Sequence, residues 1–187
     1  METRLGFIVD SNKCIGCNSC VMACKNFNKV DPDINWRKVH PLSEDAYTQS
    51  SRLSMSLACN HCANPQCLKA CPVKAYTKRE DGIVIQNHDR CIGCKMCIMA
   101  CPYNVPQFNT QLKKVEKCHM CYERQDQGLK PGCVLTCPTG AIEVVDLNTY
   151  DLTGTVSSLP GFPNPKISNP SVRFIKPRIG VQVRRGE

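Results

Sequence analysis

The sequence predicts an α+β fold made of two similar units, one inserted into the other, with long loops and an extended C-terminal tail. Three observations lead to this prediction. The 187 residues include 16 cysteines, which fall into four groups of four with none left over. Short strand-like stretches flank these groups. From Asp151 onward the chain is rich in proline and has little periodicity.

The four cysteine groups, called quartets one to four in chain order, share a common spacing. Quartet three, CIGCKMCIMACP, has two, two and three residues between successive cysteines and a proline after the last. Quartet one has the same spacing, whereas the middle gap is four residues in quartet two and eleven in quartet four. The members are Cys14, Cys17, Cys20, Cys24; Cys59, Cys62, Cys67, Cys71; Cys91, Cys94, Cys97, Cys101; and Cys118, Cys121, Cys133, Cys137.

This spacing is typical of ligands to 4Fe-4S clusters. The first three cysteines curl round one cluster, and the fourth, which we expect to open a helix, ligates a neighbouring cluster. Four quartets therefore predict four 4Fe-4S clusters in two pairs. The predicted ligand sets are Cys14, Cys17, Cys20 with Cys137; Cys118, Cys121, Cys133 with Cys24; Cys59, Cys62, Cys67 with Cys101; and Cys91, Cys94, Cys97 with Cys71.

The pairing of quartets follows from the stretches between them. Quartets two and three are joined by a strand, an Asp81-Gly82 turn and a second strand, which predict a hairpin. Residues 52–110 therefore form one ferredoxin-like two-cluster unit. Quartets one and four are left to pair, so residues 1–51 and 111–150 form the other unit. In it, the strand at 4–9 is expected to pair with residues 141–145.

The remaining segments carry no predicted chemistry. Residues 25–51 and 111–130 are interpreted as polar connections between the units. Trp36, the single tryptophan, is interpreted as a packing or interface residue. Residues 151–187 have too little apolar periodicity to build a core, so they either stay mobile or lie extended along a partner protein.

Three other uses of cysteine compete with clusters. A disulfide scaffold requires a secreted chain, and the N-terminal residues do not predict a signal peptide. A zinc ribbon also uses pairs of cysteines two residues apart, and quartet four alone resembles one. Zinc, however, gives no reason for a fourth cysteine that faces elsewhere. Redox sensing by free thiols is the third alternative.

The formal net charge of +8 is consistent with buried clusters. Sixteen thiolates and four oxidised cluster cores of about +2 each bring the total near zero. Basic residues close to cluster ligands are expected to raise cluster potentials. They are Lys13, Lys25, Lys74, Lys95 and Lys117. No basic run interleaved with aromatic residues indicates a nucleic-acid partner.

Other groups near the quartets are given supporting roles. His61 and His119 lie inside quartets two and four, and we interpret them as hydrogen-bond donors around the clusters. No motif for nucleophilic catalysis or phosphate binding occurs, so we expect no enzymatic activity from this chain. No apolar stretch is long enough to span a bilayer.

The chain from residue 4 to residue 145 resembles the four-cluster subunit of the dimethyl sulfoxide, polysulfide and thiosulfate reductase family. The resemblance is carried by RLGFIVDSNKCIGCNSCVMACK, CNHCANPQCLKACPVKAYTKREDG, CIGCKMCIMACPY and KCHMCYERQDQGLKPGCVLTCPTGAI. It implies a non-catalytic subunit of an anaerobic respiratory complex. Such a subunit conducts electrons between a molybdopterin catalytic subunit and a membrane subunit that exchanges electrons with quinone.

Alternatives to this assignment remain, as does the location of the complex. A free-standing soluble polyferredoxin, or a subunit of a cytosolic formate dehydrogenase or hydrogenase assembly, has a similar cluster pattern. Within a respiratory complex, the chain is expected to lie at the cell membrane through its partners. Co-export with a signal-bearing partner places it on the outer face, which we favour; the cytoplasmic face is the alternative.

Overall fold

The computed structural model of the chain describes residues 3–42 and 53–178. The stretches 43–52 and 179–187, the latter with the basic pair Arg184 and Arg185, lie outside the described residues. Short elements predominate in the described part. The strands are β1 Leu5–Asp10, β2 Lys38–Pro41, β3 Ser54–Leu57, β4 Tyr76–Lys78, β5 Val84–Gln86, β6 Gln107–Asn109, β7 Lys114–Glu116, β8 Ile142–Asp146, β9 Thr155–Val156 and β10 Val172–Ile175. The helices are α1 Ser19–Asn28, α2 Gln66–Lys69, α3 Met96–Ala100, α4 Tyr122–Gln125 and α5 Gly132–Leu135, with a 3-10 turn at Pro165–Ile167.

The largest sheet has four strands in the order β8-β1-β10-β9. The strands β1 and β8 are antiparallel, with Phe7 opposite Val144. This confirms the predicted pairing of the first strand with the segment after Cys137, shifted by one residue at each end. Both strands are rich in β-branched and aromatic residues, which favour extended backbone.

Residues 151–178 were expected either to stay mobile or to lie extended along a partner protein, but they contribute two strands to the largest sheet. Strand β10 lies between β1 and β9 and runs parallel to β1. Its inward residues Val172 and Phe174 are buried in the main hydrophobic core. The approach to β1 is so close that a Cβ on Gly6 would lie 2.0 Å from the Ser171 carbonyl oxygen. A strand of four residues is too short for its alternating burial to be recognised as a period in the sequence. The strand is stabilised by its pairing with β1.

Three two-stranded antiparallel sheets, β2–β3, β4–β5 and β6–β7, complete the sheet structure of the described residues. The predicted hairpin between quartets two and three is present as β4–β5. The β6–β7 hairpin crosses residue 110, where a boundary between units was expected, and its turn packs on the loop of quartet three. There, a Cβ on Gly93 would lie 2.3 Å from the Lys113 carbonyl oxygen. Residues 111–130 are therefore part of the packed structure and not merely a connection.

Two smaller hydrophobic cores lie around cysteines. One contains Trp36 with Cys24, Cys59 and Cys118, and the other lies beneath the β4–β5 hairpin. Trp36 is thus a packing residue, as expected. In the described stretches, no helix is long and apolar enough to cross a lipid bilayer.

Candidate functional site

The loops of all four quartets turn in the same way. The residue two positions after the first cysteine has a positive φ in each, at Gly16, His61, Gly93 and Met120. Two of these residues are not glycine, and a left-handed backbone costs such residues about 1–2 kcal/mol. His61 and Met120 are both almost completely buried, so packing holds them there. This repeated turn makes the first two cysteines of each quartet face a common centre.

The structure gathers the cysteines into groups that mix two quartets. We name each group a site, numbered by the quartet that supplies three of its members. Three sites surround cavities lined by four cysteines each. These are site 1 with Cys14, Cys17, Cys20 and Cys137; site 2 with Cys59, Cys62, Cys67 and Cys101; and site 4 with Cys118, Cys121, Cys133 and Cys24. The groupings are the same as the predicted ligand sets.

Site 3 comprises Cys91, Cys94, Cys97 and Cys71. Cys97 lies in the core beneath the β4–β5 hairpin, and Cys91 and Cys71 pack against that core, as does Cys67 of site 2. Cys94 is exposed, and it lies close enough to Cys97 to interact electrostatically with it. Cys71 of quartet two thus lies near cysteines of quartet three, and its place among the ligands of site 3 stays a prediction.

The fourth cysteines do not open helices, and that prediction is wrong. Cys71, Cys101 and Cys137 follow the short helices α2, α3 and α5 instead. Each is followed by a proline, which disfavours a helical conformation at the residue before it. In quartet one Lys25 takes the place of proline, so α1 continues through Cys24 to Asn28.

A hydrogen-bond donor four residues after each fourth cysteine faces its sulfur. The backbone N–H of Ala75 donates to Cys71 Sγ at 3.3 Å, and that of Ala141 donates to Cys137 Sγ at 3.2 Å. Val105 supplies the equivalent N–H to Cys101. Such donors favour a thiolate over a thiol.

Quartet one replaces this backbone donor with a side chain. In α1, the backbone N–H four residues after Cys24 is directed along the helix. The side-chain amide of Asn28 occupies the position instead, with Nδ2 at 3.8 Å from Cys24 Sγ and 3.7 Å from Cys121 Sγ. One amide therefore contacts two cysteines of site 4.

Burial raises the pKa of several cysteine thiols and so disfavours their thiolate form. It raises the pKa of Cys24, Cys62 and Cys67 to about 12, and it also raises the pKa of Cys118. Exposed Cys17 differs, because a hydrogen bond from Ser19 lowers its pKa. Iron is bound by the thiolate form of cysteine. These buried cysteines therefore favour the thiolate only when a positively charged metal core is present.

Four thiols around one cavity are a donor set that fits a 4Fe-4S cluster. Each corner of a cubane takes one thiolate, so the four sulfurs surround a volume instead of meeting at one ion. The described residues include no group of three His, Cys, Asp or Glu side chains placed to hold a single metal ion. All sixteen cysteines are free of disulfides.

Two buried cations line the cavities. Of the lysines and arginines that the structure describes, only Arg37 and Lys117 are buried. Lys117 precedes quartet four in sequence but lines the cavity of site 2, where its Nζ donates to the carbonyl oxygens of Val84 and Cys118. Arg37 lines the cavity of site 4. Burial acts to lower the pKa of Arg37, but thiolates of Cys133 and other cysteines outweigh it and raise that pKa.

The other predicted cations lie nearer the surface. Lys13 pairs with Asp10 at 3.8 Å, and Lys95 lies over the Phe108 ring at 4.0 Å. Lys25 donates to three backbone carbonyls of the loop after α1, and Lys74 is exposed. Arg37 was missed because it lies in a stretch read as a connection, far in sequence from any cysteine. No spacing or composition signal marks it.

The two histidines differ from each other. His61 Nδ1 accepts a hydrogen bond from the Val84 N–H at 3.1 Å, so that nitrogen is not a donor to sulfur. Burial lowers the pKa of His61 well below its usual value and keeps the ring neutral. His119 lines the cavity of site 4 and packs edge-on between Trp36 and Tyr122.

Shared hydrophobic cores link the four sites in the order 1, 4, 2, 3. Cys20 of site 1 and Cys133 of site 4 lie in one core, and Cys118 of site 4 and Cys59 of site 2 lie in another. Cys67 of site 2 packs against the core that contains Cys97 of site 3. After burial, which is the largest cause, Cys20 of site 1 contributes to the raised pKa of Cys133 in site 4. Cys59 of site 2 contributes in the same way to that of Cys118 in site 4. Tyr76 bridges sites 2 and 3, since cysteines of both interact with its hydroxyl. Sites 1 and 3 at the ends of this series contain Cys17 and Cys94, the two exposed cysteines.

Comparison with known proteins agrees with this geometry. The family model "4Fe-4S dicluster domain" matches residues 51–147, and "4Fe-4S binding domain" matches residues 5–26. The probable anaerobic dimethyl sulfoxide reductase chain YnfG of Escherichia coli is 36% identical over 186 residues, covering 95% of this chain and 90% of the relative. An anaerobic dimethyl sulfoxide reductase chain of Haemophilus influenzae is 37% identical over 184 residues, covering 93% and 89%.

The chain belongs to the iron-sulfur subunits of the dimethyl sulfoxide reductase family. Members of this family are electron-transfer subunits of reductase complexes and not the catalytic ones. A tetrathionate reductase subunit of Salmonella typhimurium is a more distant relative, 35% identical over 147 residues, with 77% of this chain and 58% of the relative covered.

Proposed function

We propose that this chain relays electrons through four 4Fe-4S clusters, one in each site, in the order 1, 4, 2, 3. The observation that supports this best is the mixing of quartets. Three cavities are each lined by three cysteines of one quartet and the fourth cysteine of another. When bound, each cluster supplies one-electron redox chemistry.

The residues of the chain hold the sites close together and adjust their surroundings. Because the fourth cysteines are exchanged between sites 1 and 4 and between sites 2 and 3, the backbone fixes the separation of the two sites within each of these pairs. Backbone N–H groups at Ala75 and Ala141 stabilise negative charge on sulfur. Burial of the inner thiols excludes water and lowers the local dielectric constant, which strengthens these interactions.

The end sites are the proposed contacts with partner subunits. Site 1 and site 3 each carry an exposed cysteine beside an exposed isoleucine, Ile15 at 65% and Ile92 at 64% relative accessibility. One end would face a molybdopterin catalytic subunit, and the other a membrane subunit that exchanges electrons with quinone. The chain would then lie at the membrane through its partners, on the outer face if the complex is co-exported and otherwise on the cytoplasmic face.

Anaerobic purification from the native host tests this proposal. We expect about sixteen irons and about sixteen acid-labile sulfides per chain, with negligible zinc. The chain should copurify with a molybdopterin subunit and a membrane subunit. Stoichiometric zinc with iron well below about twelve per chain contradicts the four-cluster proposal. A fully loaded chain that purifies alone supports a soluble polyferredoxin instead.

A further inference from the structure

Arg37 is a buried cation without a carboxylate partner. It lies just before β2 and is 2% exposed, and it is the largest of the fully buried side chains among the described residues. Among the described residues it forms no ion pair, and its Nε and Nη2 have no hydrogen-bond partner. A buried arginine is costly unless negative charge compensates it. The compensation must come from something other than aspartate or glutamate.

The contacts of the guanidinium direct it toward site 4. Its Nη1 donates to Ser56 Oγ at 3.0 Å, and its flat face lies over the Phe7 ring at 4.6 Å. These contacts fix the group at the cavity lined by Cys24, Cys118, Cys121 and Cys133. The nearest negative charge available is thus that of the thiolates and the cluster they would hold.

Ser56 connects the same guanidinium to site 1. Its hydroxyl lies 3.2 Å from Cys20 Sγ and lines the cavity of that site. The series Arg37, Ser56, Cys20 therefore joins sites 4 and 1 through buried polar groups. A cation at this position interacts with both sites, more strongly with site 4, whose cavity it lines directly.

We propose that Arg37 is a positioning residue that raises the reduction potential of the cluster at site 4 and, to a smaller extent, that at site 1. This inference rests on the proposed function. Reduction adds one negative charge to a cluster, and a fixed cation in a medium of low dielectric constant stabilises that charge. An arginine suits the role because it stays protonated when buried.

The test is a redox titration of the cluster-loaded chain, followed by electron paramagnetic resonance. The variants are Arg37→Gln, Arg37→Lys and the control Lys38→Gln, which removes the same charge from an exposed neighbour in β2. A Cys121→Ser variant marks the site 4 signal. In Arg37→Gln we expect the equilibrium constant for reduction at site 4 to fall at least about tenfold, or about 59 mV. The site 1 shift should be smaller, and Lys38→Gln and Arg37→Lys should stay near wild type.

Every outcome bears on the inference. One supporting outcome is that Arg37→Gln loses about four irons while Arg37→Lys keeps all four clusters. The positive charge is then required to hold the site 4 cluster. If Arg37→Gln is fully loaded with an unchanged potential, the inference is wrong. It is also wrong if Arg37→Lys fails in the same way as Arg37→Gln even at an acidic pH that keeps a buried lysine protonated, because shape and not charge is then decisive. A wild-type chain that lacks four clusters contradicts the proposed function instead.

Discussion

The two inner sites and the two end sites use the same cysteine spacing in different surroundings. Sites 4 and 2 are each provided with one buried cation, Arg37 and Lys117, and contain most of the buried cysteines. Sites 1 and 3 each contain an exposed cysteine, and in the described residues no buried lysine or arginine lines the site 1 cavity. Neither cation comes from the quartet that supplies most of its site. The motif thus specifies a cluster, while distant residues specify its electrostatic surroundings.

The largest effect should come from removing the C-terminal support of an inner site. The segment just before β10 pairs with the loop of quartet two, where Ala63 N–H donates to the Asn169 carbonyl at 2.7 Å. Ser168 in that segment lines site 2 and hydrogen-bonds to Cys62. Deleting residues 155–187 should therefore cost the site 2 cluster and much of the stability. Iron analysis checks this, and a truncated chain that keeps about sixteen irons contradicts it.

A point variant isolates the packing part of that effect. Phe174→Ala empties a buried position in β10 and should lower the free energy of unfolding by about 3–5 kcal/mol. Ile167→Ala, at a half-exposed position of the same segment, should change it by less than about 1 kcal/mol. Thermal or denaturant unfolding of the anaerobic holoprotein gives both values. Equal values for the two variants would show that β10 does not pack as described.

The next prediction compares two cysteines of quartet two, which are predicted to bind different clusters, one at inner site 2 and one at end site 3. Cys71→Ser should alter the cluster at site 3, and Cys62→Ser the cluster at site 2, although both residues belong to quartet two. Spectroscopy of the two variants should therefore show two different altered clusters. Damage to the same cluster in both variants would mean that ligation stays within each quartet.

A smaller effect is expected at the loop of end site 3. In Gly93→Ala the new Cβ meets the Lys113 carbonyl, and the residue has a φ of +71°. We expect a loss of about 1–3 kcal/mol in stability, with site 3 lost first on oxidation. Gly128→Ala is the matched control, because its φ is similar but nothing lies within 4 Å. It should cost about 1 kcal/mol from backbone strain alone.

The smallest effect is expected from the amide that replaces a backbone donor at inner site 4. Asn28→Ala removes a long, weak hydrogen bond to each of Cys24 and Cys121. The reduction potential of site 4 should fall by less than about 59 mV, the equivalent of a tenfold change. Redox titration measures it beside Arg37→Gln. A larger shift for Asn28→Ala than for Arg37→Gln would reverse the relative importance of hydrogen bonding and charge.

The features that the sequence predicted correctly are short-range ones or have a strong residue pattern. The cysteine spacing, the β4–β5 hairpin around Asp81-Gly82 and the β1–β8 pairing each depend on a few neighbouring residues of clear type. Together these patterns predicted the grouping of the cysteines, and three of the four predicted groups each line one cavity. The helix position of the fourth cysteines was predicted wrongly, although the prolines at 72, 102 and 138 indicate where those helices stop.

What the sequence could not predict depends on contacts between distant segments. Arg37 looks like an ordinary linker residue until Phe7, Ser56 and the cysteines of site 4 surround it. Lys117 was expected to lie near a cluster, but the sequence does not indicate which one. Lys117 lines the cavity of site 2, whereas its neighbour in sequence, Cys118, belongs to site 4. Strand β10 shows no period over four residues, and its stability comes from β1. In each case tertiary packing decides the outcome.

The position of β10 has a consequence for how the protein is made. In the central sheet, the first strand of the chain has as one neighbour the last strand of the described residues. During synthesis, the edge of β1 that pairs with β10 therefore stays uncovered until nearly all of the described residues have been made. Contacts of such large sequence separation also slow folding. Limited proteolysis of ribosome-bound chains of increasing length should find the β1 region protected only once residue 175 has emerged, so cluster sites that depend on this sheet are completed after β10 has been synthesised.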